Sequence, residues 1–346
     1  MKALIQSKER GAKLKETINC AVIGVGRLGL VHANNLVHHI PDVKVKSIVA
    51  SRMESAEKTA RSLGVSKWTN NVQEIFEDED IDAVIIVTPT NTHANLIIQA
   101  AKHRKHIFVD KPITETVEEA DEVIQVLDTY KVHCQVGFMR RFDPAYLAAK
   151  KRIEAGDIGK PIYFKGLSRD PGSPPESYIK TSGGIFLDLC IHEYDIARFL
   201  LGSEVNSIQT FGEALIHPFM KKYGDVDQSL SYLQFDNGAS ADIEGSRNST
   251  FGYDIRAEIV GTEGMIQIGS IQDNHNIILS NKQAYHDNIP DFSTKFKTAF
   301  LKELEYFVKC VKTNSKPSVN EIDGKIALQI SEAATKSYQN KEKVYL

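Results

Sequence analysis

Cysteine is scarce in this chain: four residues, Cys20, Cys134, Cys190 and Cys310, stand far apart. None forms a C-x-x-C pair or a spacing that frames a disulfide scaffold, so they read as small apolar fillers in a reducing compartment, the cytoplasm. Long apolar runs are missing as well. No segment holds the ~18 uncharged apolar residues a membrane span requires, and the charged opening MKALIQSKERGAKLKET lacks the apolar core of a secretory signal. An excess of charge of one sign is also absent. The 42 Lys+Arg against 45 Asp+Glu give −3, which supplies no basic field for nucleic acid phosphates or an anionic membrane. The expected partner is a small molecule.

What is present is ordinary globular material. A 346-residue chain with 42% hydrophobic residues has enough length for two domains, each with its own core. After a polar extension over 1–16, INCAVIG at 18–24 has the β-branched, glycine-terminated pattern of a buried strand. Strands at 43–50, 82–88, 106–110 and 132–138 alternate with helices at 27–39, 54–63, 92–102 and 117–130 and a short helix near 71–77. The helix at 117 is opened by a Thr116–Glu119 capping box. This rhythm predicts an α/β fold, with a doubly wound parallel sheet over 17–138.

From about 139 the pattern changes. Asp143 and Pro144 start a helix that ends at Gly156, and a strand follows at 161–168. An apolar helix over 185–202 precedes strands at about 205–215, 228–235, 239–246, 254–260 and 265–269, linked by short turns such as Asp236-Asn237-Gly238. Residues 139–346 are therefore expected to form an α+β domain. Its large, mostly antiparallel sheet would carry helices, including those at 293–312 and 324–339, on one face. The open face predicts a homo-oligomer.

Gly24-Val-Gly26-Arg27-Leu28-Gly29 lies between the first strand and the first helix, the context that turns a weak glycine pattern into a dinucleotide fingerprint. Gly24 would permit the tight turn, Gly26 the approach of a pyrophosphate, and Gly29 close helix packing. The acidic residue that commonly contacts the ribose is missing, since Ser51-Arg52 stands at the end of the second strand. Those residues suit the 2′-phosphate of NADP, while Arg52 stacked over adenine leaves NAD equally acceptable. Thr88, Asn91 and His93 follow one strand, and Asp110, Lys111 and Pro112 the next. Both loops occupy the strand ends where α/β sheets bind ligands. His93 serves either as a helix cap or as a cofactor contact. Lys111, held between a buried strand and a proline, is poorly placed for a merely solvated role.

In the segment 185–202, Asp188, His192 and Asp195 recur at helical spacing as one polar stripe. A histidine one turn from a carboxylate makes a proton acceptor. The alternatives are a satisfied core histidine and a metal pair, and no third ligand motif supports metal. Asp195 is expected to tie the helix to a neighbour.

Taken together, the Gly24–Gly29 fingerprint with His32, Thr88-Pro89 through His93, Asp110-Lys111-Pro112 in place of Glu-Lys-Pro, and Asp188 with His192 resemble the Gfo/Idh/MocA oxidoreductase family from residue 18 onward. QVGFMRRFD at 135–143 and FGYDIRAEIVGTEGMI at 251–266 look most like its inositol 2-dehydrogenases. The resemblance implies an N-terminal Rossmann domain, a tetramer, and NAD-linked oxidation of a cyclic polyol, myo-inositol or scyllo-inositol. Lys111 would donate to the reacting oxygen, His192 would act as base, and Asp188 would orient the imidazole. Arg140 matches a substrate-contacting arginine, and Asp170 and Tyr253 are further substrate-site candidates. One departure bears on specificity: Ser168-Arg169-Asp170 stands where the inositol dehydrogenases carry His and Asn. A pyranose dehydrogenase using NADP and a non-catalytic dinucleotide sensor are the competing readings. The Pro-, Ser- and Gly-rich loop 170–184 is either a lid or a plain surface loop.

Overall fold

Apolar segments rich in Val, Ile and Ala generate the first sheet in the computed structural model, which describes residues 16–273 and 276–346. The polar extension lies, apart from its last residue, outside the described residues. β1 (Ile18–Ile23), β2 (Val43–Val49), β3 (Lys67–Thr69), β4 (Ala83–Ile86), β5 (His106–Asp110) and β6 (Cys134–Gly137) pair in parallel in the order β3-β2-β1-β4-β5-β6. α1 (Arg27–His38), α2 (Met53–Leu63), α3 (Gln73–Glu77), α4 (His93–Lys102) and α5 (Val117–Tyr130) provide the connections. The order reverses between β1 and β4, which opens a crevice at their carboxyl ends. α5 carries the expected capping box, with Thr116 and Glu119 exchanging side-chain and backbone hydrogen bonds. β3 was not foreseen: three residues are too few to show alternation, and pairing with β2 makes them a strand.

Beyond β6 come α6 (Pro144–Glu154), β7 (Pro161–Arg169), α7 (Glu176–Ile179), α8 (Gly184–Asp188) and α9 (Ile191–Leu201). They are followed by β8 (Val205–Glu213), β9 (Gln228–Phe235), β10 (Ser240–Ser246), β11 (Asp254–Gly261), β12 (Met265–Ile268) and the short pair β13 (Ile278–Leu279) and β14 (Ala284–Tyr285). α10 (Phe292–Lys295), α11 (Lys297–Thr313), α12 (Glu321–Asn340) and β15 (Val344–Tyr345) close the chain. The second sheet runs β12-β11-β7-β10-β9-β8-β15. It is antiparallel except that β7 and β10 run parallel, with Ser246 opposite Arg169. The long excursion through three helices and two strands between β7 and β10 permits that crossover. As a result the ends of both strands meet at one edge, where the Asp170 N–H donates to the Ser246 carbonyl at 2.8 Å.

Helices do not all serve the second sheet, as the sequence reading had placed them. α11 turns Leu304, Phe307 and Val308 into the core formed by Ile18, Val22, Ile85 and Phe108 of the first sheet. α9 and α12 cover the second sheet, contributing Ile196, Leu200 and Ile330 to a core with Phe164, Leu233 and Ile243. No helix among the described residues is long and apolar enough to cross a membrane.

Candidate active site

A cleft of about 1060 Å³ opens at the carboxyl ends of β1, β2 and β4, lined by Gly24, Gly26, Ser51, Arg52, Lys58 and Thr88 among others. The glycines divide the work as the fingerprint requires. Gly24 has φ +101°, and a Cβ there would lie 2.3 Å from the Val87 carbonyl oxygen. A Cβ on Gly29 would strike the Gly24 carbonyl at 2.2 Å, so α1 packs directly on the turn. At Gly26 nothing lies within 4 Å of that position, which leaves the backbone open to a phosphate. Gly26 is the N-cap of α1, whose first turn carries no acidic side chain, and its N–H groups form an anion cradle. The residues present therefore fit a dinucleotide.

Other fingerprint neighbours stand elsewhere. The Arg27 guanidinium lies over the Phe292 ring at 4.2 Å, Leu28 packs into the core, and Asn91 is exposed on a short 3-10 turn outside the cleft lining. His93 is buried rather than a cofactor contact. Its Nδ1 lies 2.8 Å from the Pro112 carbonyl oxygen and its Nε2 2.9 Å from that of Thr88, so it braces the two loops. Asp110 is drawn inward, accepting from the Lys111 N–H at 2.8 Å, and burial pushes its carboxyl up.

Across from these loops the expected helix 185–202 is broken. α8 stops at Asp188 and α9 starts at Ile191. At the break the Asp188 carbonyl accepts from Lys111 Nζ at 2.6 Å, a partner outside the helical ladder. The same amine stands 3.4 Å from Asp188 Oδ1. Tyr178 OH donates to Oδ1 at 2.9 Å and Arg247 Nη2 to Oδ2 at 3.0 Å. Among the described residues the donors to Asp188 are thus Lys111, Tyr178 and Arg247. This corrects the expectation that Asp188 orients His192: among the described residues no hydrogen bond joins the two.

His192 packs edge-on to Phe138, and its Nδ1 is buried with no partner among the described residues. Burial, followed by the Lys111 and Arg140 charges, holds its pKa well below the ordinary value, so the imidazole is neutral at physiological pH. Burial opposes ionisation of Asp188, but Lys111 and Arg247 outweigh it and hold the carboxyl low. Asp170 is pushed up to about 6 by burial, against the pull of Arg247.

Two substrate-site candidates prove to be internal. Arg140 is 1% exposed; its guanidinium donates to Glu193 and, at 3.3 Å, to Ser168 Oγ. Glu193 and Ser168 thus hold it inside, and its charge acts on His192. Tyr253 is buried in a cluster with Met139, Phe296 and Phe300. Asp195 does tie its helix to neighbours, accepting from Arg141 Nε at 2.8 Å, while Arg141 also reaches Asp323 of α12.

Sequence reasoning missed Arg247, Tyr178 and Glu193. Arg247 belongs beside Asp170 only because β7 and β10 are parallel; an antiparallel reading puts those strand ends at opposite edges. The proline-rich loop was the sole signal for Tyr178.

Comparison with known proteins agrees with this fold. A family model described as "Oxidoreductase family, NAD-binding Rossmann fold" matches residues 18–138, and the corresponding C-terminal alpha/beta domain model matches 150–346. The chain is 51% identical over 327 residues to scyllo-inositol 2-dehydrogenase (NAD(+)) of Bacillus subtilis, covering 94% of this chain and 96% of the relative. It is 37% identical to myo-inositol 2-dehydrogenase of Thermotoga maritima, covering 94% and 97%. The crystal structure of scyllo-inositol dehydrogenase from Lactobacillus casei with bound NAD(H) and scyllo-inositol superposes with a TM-score of 0.90 at 29% identity, covering 95% of this chain and 99% of that one.

Proposed function

The chain belongs to the Gfo/Idh/MocA family of NAD-dependent oxidoreductases, and from that premise we propose that it oxidises one ring hydroxyl of an inositol, myo- or scyllo-, to the ketone. The observation that carries the reading is Lys111 from the nucleotide-binding half reaching Asp188 of the other half, with neutral His192 in electrostatic contact with the same amine. Myo- and scyllo-inositol differ in configuration at a single carbon, and oxidation there gives one common ketone. Relatives named for both isomers fit that convergence.

NAD, when bound, supplies the hydride acceptor. Lys111 Nζ donates to the hydroxyl oxygen as negative charge gathers on it, the site where a preorganised donor lowers the barrier most. His192 takes the hydroxyl proton at Nε2, since Nδ1 is sealed in the interior. Asp188 anchors the Lys111 amine by its carbonyl and balances its charge by its carboxylate. Asp170, at the mouth of β7 and near Arg247, accepts from a neighbouring hydroxyl when ionised.

The test is a panel of inositols and aldopyranoses with NAD and with NADP, followed by the absorbance of reduced nicotinamide. Turnover of myo- or scyllo-inositol with NAD, and poor turnover of the sugars, is the expected result. Turnover confined to a pyranose overturns the proposal. We further propose a homotetramer assembled through the open sheet face, supported by exposed Phe211 and Leu230 standing opposite each other on β8 and β9. The four free, buried cysteines support a cytoplasmic setting.

A further inference from the structure

Arg247 has more buried surface and fewer satisfied donors than a structural arginine needs. It follows β10 directly, its side chain is 0% exposed, and it is one of the two largest fully buried side chains among the described residues. Nη2 is bonded to Asp188 Oδ2 at 3.0 Å, Nη1 stands 4.0 Å from Asp170 Oδ2, and Nε and Nη1 have no hydrogen-bond partner among the described residues. A buried guanidinium with unmet donors is costly unless nearby charge repays it. Three carboxylates do so: Asp188, Asp170 and Asp225 all act on it electrostatically.

We infer that Arg247 is the positioning residue of this pocket, acting through Asp188 and Asp170 rather than touching substrate. By holding Oδ2 of Asp188 it turns Oδ1 toward Lys111 and Tyr178, which fixes the amine that must meet the reacting oxygen. By standing beside Asp170 it keeps a second carboxylate available as a hydroxyl acceptor. The backbone enforces both contacts: Asp170 and Arg247 leave adjacent parallel strands, and the Arg247 N–H is itself pinned to the Asp227 carbonyl at 2.9 Å. The charge balance around Asp188 then consists of Lys111 after β5, Tyr178 on α7 and Arg247 after β10. Asp110, Asp170 and Asp225 oppose them. His192 on α9 stands near, with Arg140 charged behind it.

This inference deepens the inositol dehydrogenase reading and rests on it for its kinetic readout. The test uses the full chain with Arg247→Gln, which keeps a donor and removes the charge, and Arg247→Lys, which restores the charge. For Arg247→Gln, kcat/KM for inositol with NAD should fall roughly 10–100-fold, with NAD affinity within about twofold. The acid limb of the pH profile of kcat/KM should move up by about one unit or more, as the two carboxylates lose their cation. Arg247→Lys should recover most of the activity and return the limb toward that of the wild type. A limb that superimposes on the wild type in Arg247→Gln overturns the inference. If Arg247→Gln does not fold, an active Arg247→Lys with the wild-type limb supports it, and an inactive one overturns it.

Should the wild type turn over no inositol, the functional reading fails, and Arg247 is judged by melting temperature against pH. In the wild type, the depressed Asp188 carboxyl contributes stability that is present above its unfolded pKa and lost as pH falls through the folded value. In Arg247→Gln the folded carboxyl values rise, so the variant loses stability relative to the wild type as pH increases. The gap between the two melting curves should therefore widen from about pH 4 to pH 7. A gap independent of pH means that Arg247 only fills space.

Discussion

In the nucleotide cleft the groups that matter belong to the backbone: one tight turn at Gly24, one open approach at Gly26 and the first N–H groups of α1. In the polar pocket they are side chains gathered from the ends of β5, β7 and β10 and from α7, α8 and α9. A backbone site tolerates nearly any neighbour but fails to a single misplaced methyl group. A side-chain site tolerates small shifts of backbone but couples every charge to the next, because the ionisation of each carboxylate depends on the cations beside it.

The sharpest way to break that contrast is Lys111→Met. Removing the amine takes away the donor to the reacting oxygen and the partner of the Asp188 carbonyl together. Turnover should fall by roughly 10³-fold while NAD affinity, measured by fluorescence quenching, stays within about twofold. A loss under about tenfold would move the chemistry from Lys111 to His192 and leave the amine a structural tie.

Next in size are two substitutions two residues apart in the same turn. In Gly24→Ala the new Cβ collides with the Val87 carbonyl and the residue keeps φ +101°, so stability should drop by about 1–3 kcal/mol. The melting temperature reports it with or without cofactor. In Gly26→Val the extended backbone, φ −66° and ψ −173°, suits a β-branched residue and there is open space around it. The melt without NAD should be unchanged while NAD affinity falls by roughly 100-fold. If both variants lose stability equally, the two glycines have one structural role and the cleft has not been read correctly.

The same contrast explains how much could be read before any coordinates. The β-α alternation, the Gly24–Gly29 turn and the Thr116 cap are local, set by residues within a few positions of one another, and the chain places them where the pattern indicated. That Lys111, Asp188 and His192 gather at one site was legible from their motifs, but which of them bonds to which was not. The spacing of Asp188 and His192 indicated one helix, whereas the helix stops at Asp188, whose carbonyl accepts from Lys111. Arg140 looked like a substrate contact, yet Glu193, far along the chain, holds it inside. Arg247 could be assigned only by knowing that β7 and β10 run parallel, a tertiary fact that no local pattern carries.

The smallest expected effect lies at the adenosine end of the cleft, where Ser51, Arg52, Ser55, Lys58 and Ser62 line the wall and no carboxylate does. NAD is the family's cofactor, but a wall without an acid does not repel a 2′-phosphate, so the wild type should bind NADP as well. Arg52→Ala then separates two uses of one guanidinium. If it pairs with the phosphate, titration should show NADP affinity falling by roughly tenfold, the size of one charge-assisted hydrogen bond, with NAD changed less than about threefold. If it stacks over adenine, both cofactors weaken alike, by about 0.5–1 kcal/mol. Unchanged NADP binding would show that Lys58 and the serines suffice, and would make this wall, like the Gly26 cradle, a surface that recognises phosphate without depending on any one side chain.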